Sequence, residues 1–249
     1  KYSMLADKYN SEIINDKKYS IPWKSVKIGG HDLVEVRLRP AITNFSNIKI
    51  VDNNGSVLPL QPTSSDSIKH VQFNSPMYMG SQAITATYTQ NDNSKTVGKL
   101  NVVSYDEISG NVILVPVNNN GLKGISKEEL STTLNETYKQ ACVSFSVSAI
   151  SSISYTYSTF DANPSNEIDY TADMLALINE VKTITDYNDS KYYLFLLDKC
   201  TESDKLGYMP FNQQFGFIFV DKSSGTDLAR TIAHELGHGA FGLLHTFKT

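Results

Sequence analysis

Cysteine is scarce: Cys142 and Cys200 are the two in 249 residues, too few for a disulfide framework or a cysteine-based zinc ribbon, and their separation matches no such spacing. If the strand beginning after Cys142 and the strand ending before Cys200 run parallel, the thiols lie at opposite ends of a sheet, beyond disulfide reach. Two free, mostly buried cysteines are therefore expected. Long apolar runs are also missing. None approaches the roughly 20 residues that cross a bilayer, so no membrane span is expected. The opening Lys1-Tyr2-Ser3-Met4 lacks the apolar core of a signal peptide, and the chain reads as a mature fragment. No basic run exceeds Lys17-Lys18 and the net charge is -4, which leaves no phosphate-binding stripe and argues against a nucleic-acid partner. Internal repeats and low-complexity tracts are absent. With 40% hydrophobic and 19% charged residues the composition is that of an ordered, soluble protein.

The length exceeds that of a typical single domain, and the residue pattern changes twice. Residues 1–20 are polar, show no sustained period and read as a lead-in segment. Between 21 and 105, short alternating runs recur about every ten residues, the signature of an all-β sandwich. Val34, Val36 and Leu38 alternate with Glu35, Arg37 and Arg39, so one face of that strand should be buried. Further strands are expected at 48–51, 67–73, 83–88 and 97–103, and six or seven strands in this span suit an immunoglobulin-like module. Asp52-Asn53-Asn54-Gly55 has the residue types of a calcium loop but lacks the later glutamate, so it reads as a turn.

From 106 to 249 strands alternate with helices, giving an expected α+β chain whose second half is an α/β unit with a mixed sheet. Val112–Val117 is a continuous apolar run suited to a covered strand. Ser126 with Glu129 forms a capping box, after which Leu130, Leu134 and Tyr138 share one face of a helix running to about Gln140. A strand over 142–150 follows, then a loop to 166. A helix over 171–184 should turn Met174, Leu175, Ile178 and Val181 inward. Strands at 192–197, 206–210 and 216–220 precede a terminal helix whose start is marked by Ser223-Ser224-Gly225-Thr226-Asp227.

That helix carries His234-Glu235-Leu236-Gly237-His238. Histidines four apart on a helix share a face and can bond one zinc ion at about 2.1 Å, while the intervening glutamate can reach a water at the ion's open position. A third ligand is required, and His245 is the candidate. On an unbroken helix it would lie about 13 Å away, so the helix must stop first. Gly242 can stop it, because glycine takes the left-handed helix-ending conformation without a Cβ penalty. His31 and His70 have no partner at metal spacing and read as ordinary strand histidines. Ile232, Leu236 and Phe241 read as core packing.

The string His234-Glu235-x-x-His238-x-x-x-Gly242-x-x-His245 resembles the metzincin branch of the zincin peptidases, H-E-x-x-H-x-x-G-x-x-H, with one additional residue before the glycine. It is also similar to the closing string of secreted bacterial zinc peptidases. The likeness covers about residues 110–249. It implies a metzincin-like domain with an active-site helix, zinc held by His234, His238 and His245, and Glu235 as general base in peptide-bond hydrolysis. By the same likeness the strand over 206–210 is the cleft edge, where backbone groups of Gly207, Tyr208 and Met209 would bind an extended peptide. A later zinc-binding glutamate or a methionine turn would lie beyond Thr249, so the domain is expected to be incomplete at its C-terminal side. Location in the cell envelope or outside the cell and a monomeric state are the accompanying expectations. A non-catalytic binding or adhesion protein with a degenerate zinc domain is the alternative, and a latent enzyme whose zinc is covered by Asp7, Glu12 or Asp16 is a third.

Overall fold

The computed structural model describes residues 9–14, 16–38, 45–202 and 204–245. They form a mixed α+β chain that is mostly sheet with three α-helices, divided into two units. One comprises the described residues up to Glu107 with Lys139–Cys142; the other comprises 108–138 and the described residues from Val143 onward. Arg39 and Asp7 lie outside the described residues.

In the first unit the expected lead-in is a hairpin. Strands β1 (Ser11–Ile14) and β2 (Lys17–Ser20) pair antiparallel around Asp16, which adopts φ 61°. Eight strands follow where six or seven were expected: β3 (Trp23–Lys27), β4 (His31–Arg37), β5 (Ile48–Val51), β6 (Val57–Leu58), β7 (Leu60–Pro62), β8 (Ile68–Asn74), β9 (Gly80–Gln90) and β10 (Asn93–Tyr105). The additional ones, β6 and β7, are too short to leave a readable period. One sheet has the order β3-β10-β9-β5-β6 and the other β4-β8-β7. Their inward residues, including Val26, Ile50, Val71, Phe73, Ile84 and Val102, form one shared core against which Val34, Val36 and Leu38 pack. Between β5 and β6, Asp52 Oδ1 accepts the N–H groups of Asn54 at 2.8 Å and Ser56 at 2.9 Å, the local bonding that makes an aspartate a turn residue. His31 and His70 lie on β4 and β8. Glu12 pairs with Lys99 of β10 at 2.5 Å, so its carboxylate is engaged within this unit.

The second unit is a sheet covered on both faces. Its elements are β11 (Ile108–Pro116), α1 (Lys127–Tyr138), β12 (Val143–Ala149), α2 (Ala172–Lys182), β13 (Tyr192–Leu197), β14 (Gly207–Tyr208), β15 (Phe215–Phe219) and α3 (Gly225–Phe241). The order is β12-β11-β13-β15-β14, parallel throughout except for β14, which pairs antiparallel with β15 at one edge. The capping box is made: Ser126 Oγ accepts the Glu129 N–H at 3.1 Å and Glu129 Oε2 accepts the Ser126 N–H at 2.8 Å. Leu130, Leu134 and Tyr138 bury one face of α1 beside Leu228, Ile232 and Leu236 of α3, against Val112, Leu114, Leu194 and Ile218 of the sheet. On the other face, α2 is capped by Thr171 and packs Met174, Leu177, Ile178 and Val181 against Ile113, Phe195 and Phe217.

Leu175, expected inward, is 46% exposed. The buried stripe follows i, i+3, i+4, i+7 from Met174, and Leu175 sits one step, about 100°, around the helix from it. Leu177, not Leu175, completes the packing. Both cysteines are free and buried, and because β12 and β13 each run parallel to β11, Cys142 precedes one strand and Cys200 follows the other at opposite sheet ends.

Candidate metal centre

The helix that carries the site is built to lie flat on the sheet. Leu228, Ile232 and Leu236, spaced i, i+4, i+8, are fully buried and orient α3 so that the neighbouring face presents His234 and His238. Tyr138 adds a clamp from behind, donating its hydroxyl to the Ala233 carbonyl at 2.5 Å; burial pushes this phenol up to about 12, so it stays a donor.

Gly242 ends the helix in the left-handed conformation, φ 60° and ψ 28°. Its N–H bonds to the His238 carbonyl at 2.9 Å and the Leu243 N–H reaches back to the Gly237 carbonyl at 3.0 Å, closing a left-handed C-terminal cap. The reversal brings His245 Nε2 to 3.0 Å from His234 Nε2 and 3.0 Å from His238 Nε2, and those two are also 3.0 Å apart. The turn acts on a second ligand as well. The Leu243 carbonyl, next to Gly242, lies 2.5 Å from His238 Nδ1. A carbonyl only accepts, so Nδ1 carries the proton and the lone pair of His238 is at Nε2, inside the triangle.

These donors fit a zinc ion. Corners of an equilateral triangle of that edge lie about 1.7 Å from its centre, less than a zinc–nitrogen bond of about 2.1 Å, so the three nitrogens are close enough to share one ion. The set is three imidazole nitrogens, a donor type that suits zinc as it does copper, iron or nickel, and the His238 ring is oriented through its other nitrogen, as ligating histidines usually are. Burial, then the neighbouring His238 and His245, holds the His234 imidazolium below its usual pKa, which favours a free lone pair on that ring. His238 is buried while His234 and His245 are exposed, leaving one side of the triangle open to solvent.

Glu235 is 7% exposed and turns toward β14. Burial pushes its carboxyl up to about 8, opposed by the Met209 backbone N–H and the charge of Lys205. Gly207 lies directly against the Glu235 side chain, and the Met209 side chain is buried between Gly216 and Gly239. Tyr208 points to the opposite face of the sheet, where its hydroxyl lies 2.7 Å from the Asp169 carbonyl. Of the three residues expected to line a peptide, two face α3, and only Gly207 and Tyr208 are in strand conformation.

Three contributors carry no sequence signal of their own. Phe211 places its ring edge-on to His238, with centroids 5.2 Å apart. Asn212, at φ 56°, donates its N–H to the His238 carbonyl at 3.1 Å and packs its amide against Gly242. The Leu243 carbonyl is a backbone group. The turn over 210–213 could be anticipated from proline and asparagine, but not its position beside α3.

No family model matches the chain, and no curated protein shows significant similarity to it. Among solved structures, a 2,6-sialyltransferase of Photobacterium sp. JT-ISH-224 shares 10% identity over 72% of this chain, with a TM-score of 0.24. A sialyltransferase from Photobacterium damsela shares 11% over 71%, also at 0.24, and CopC from Methylosinus trichosporium OB3b shares 14% over 36% of this chain and 90% of its own, at 0.20. The chain spans 36% of the length of either sialyltransferase. Scores this low define neither the fold nor the activity of the chain.

Proposed function

We propose that this protein is a zinc-dependent endopeptidase, a metzincin-like unit preceded by an immunoglobulin-like module, acting on protein or peptide substrates outside the cell or in its envelope. The observation that carries this reading is the convergence of three imidazole Nε2 atoms within 3.0 Å of one another on an open-sided site, with the Glu235 carboxyl on the adjacent helix position. A purely structural zinc site would supply a fourth protein ligand; among the described residues the cluster contains three.

His234, His238 and His245 would hold the ion. When bound, zinc supplies Lewis acidity, bringing the pKa of water toward about 7 and polarising a scissile carbonyl. A divalent cation held there would favour the Glu235 carboxylate, against the burial that otherwise favours its neutral form. From there it takes a proton from the attacking water and returns it to the leaving amine. The edge position of β14 suits an extended peptide added alongside Gly207 and Tyr208.

The decisive experiment compares wild type with Glu235→Gln for zinc content and for cleavage of denatured casein. The variant should retain zinc and lose activity by about 100-fold or more. Equal cleavage by both proteins removes Glu235 from the chemistry, and failure of the wild type to bind zinc removes the peptidase reading.

A further inference from the structure

The contact between α3 and β14 is made by two glycines that face each other's neighbours. On the strand, a Cβ at Gly207 would stand 2.7 Å from Glu235 Cγ, 3.0 Å from its Oε1 and 3.1 Å from its Cδ. On the helix, a Cβ at Gly239 would overlap Met209 Sδ and Cε and stand 2.6 Å from its Cγ. Glu235 and Gly239 are four apart on one helix face, while Gly207 of β14 and Met209, just past its end, both turn toward that face. Each element therefore offers one protruding side chain and one hollow, and the two pairs interlock. A glycine inside a helix costs about 1 kcal/mol relative to alanine, and one inside a strand also weakens it, so neither position favours the local element by itself.

We infer that Gly207 and Gly239 are positioning residues: their missing side chains set the spacing between α3 and the edge strand, and that spacing places the Glu235 carboxylate. Gly207 acts on Glu235 by direct contact. Gly239 acts by seating Met209, whose backbone N–H faces the same carboxylate. The kinetic consequence rests on the peptidase reading, whereas the contact does not.

A thermal-unfolding cycle on the metal-free protein tests the contact alone, using Gly207→Ala, Glu235→Ala and the double variant. Gly207→Ala should lose several degrees in Tm through overpacking, and the loss should vanish when Glu235 is already alanine. An equal loss in both backgrounds overturns the inference. Should Gly207→Ala not fold, the double variant must fold, and failure of both overturns it as well. On the zinc-loaded protein, Gly207→Ala should lower kcat on denatured casein by about 100-fold with KM and zinc content kept; a change confined to KM overturns the positioning role. Met209→Ala should restore both Tm and kcat to Gly239→Ala, and no recovery counts against it. If wild type cleaves nothing, the peptidase reading fails while the unfolding cycle still decides whether the glycines hold Glu235 in place.

Discussion

The two units bury their chains in different ways. The first is built of alternating strands around a single core of seven buried hydrophobic positions, of which Val71 and Val102 are fully enclosed. The second has a sheet whose strands are buried on both faces, so β13 and β15 read as unbroken apolar runs and serve two cores at once. All of the largest fully buried side chains, including Phe160, Phe195, Phe217 and Phe219, belong to the second unit. Exposed Met77, Tyr78 and Met79, by contrast, sit in the loop between β8 and β9 of the first. The lesson is that the histidine site is mounted on a helix, α3, whose Leu228, Ile232 and Leu236 are locked into a core shared with α1 and the sheet, so that His234 and His238 cannot shift without disturbing that packing.

That contrast can be broken most forcefully from within. Phe195→Ala empties a fully buried position in the second unit and should cost about 3–5 kcal/mol, against roughly 2 kcal/mol for Val71→Ala in the first. Calorimetry with zinc present should show Val71→Ala leaving zinc content intact, while Phe195→Ala lowers the transition that zinc protects. Equal costs, or zinc loss in Val71→Ala, would erase the distinction.

A smaller effect sharpens the link between backbone and site. Gly242→Ala forces a Cβ into the left-handed region at about 1–2 kcal/mol and against Asn212 Oδ1, 2.7 Å away. Because the same turn delivers His245 and the Leu243 carbonyl, zinc affinity measured by chelator competition should fall about 10–100-fold. Unchanged affinity would mean that the turn is decoration.

The smallest effect concerns acid. In the second unit burial pulls the Asp198 carboxyl upward, but the Tyr157 hydroxyl at 2.6 Å and the Lys199 N–H outweigh it and hold it below the usual carboxylate range. A depressed carboxylate contributes stability above its unfolded pKa of about 3.9, and that contribution is lost as pH falls through the native value. Tyr157→Phe should raise the native value and make the acid limb of stability shallower, read as urea midpoints from neutral pH downward. Asp32 of the first unit, paired with Lys24 at 2.9 Å, is also held low and should keep its own acid dependence in that variant.

How much of this was legible in the residues follows from the range of each signal. β13 matches the expected 192–197 because a run of aromatic and aliphatic residues between polar segments admits no other boundary. Ser126 with Glu129 on α1 was readable because capping is local, and the helix expected from 171 starts one residue later, with Thr171 as its cap. The hairpin of β1 and β2 was not, since its pairing depends on partners rather than on a period of its own. Leu175 was misplaced because the unbroken apolar run Met174–Ile178 does not by itself choose the phase of a helix. At the site, His234, His238, Gly242 and His245 were visible as spacing. Phe211, Asn212 and the fit of Gly207 against Glu235 were not, because they come from β14 and the turn after it, brought beside α3 only by the sheet order. A second glycine inside the helix, Gly239, was a usable hint that something packs closely there.

The shortness of β14 has a consequence for colloidal behaviour. Two paired residues followed by Met209 and Pro210, the latter without an N–H to offer, present too little unpaired main chain for another copy to stack on. At this border a short segment can pair with two residues, whereas the long strand of another copy finds no continuous row of partners, so this edge is a poor template for stacking.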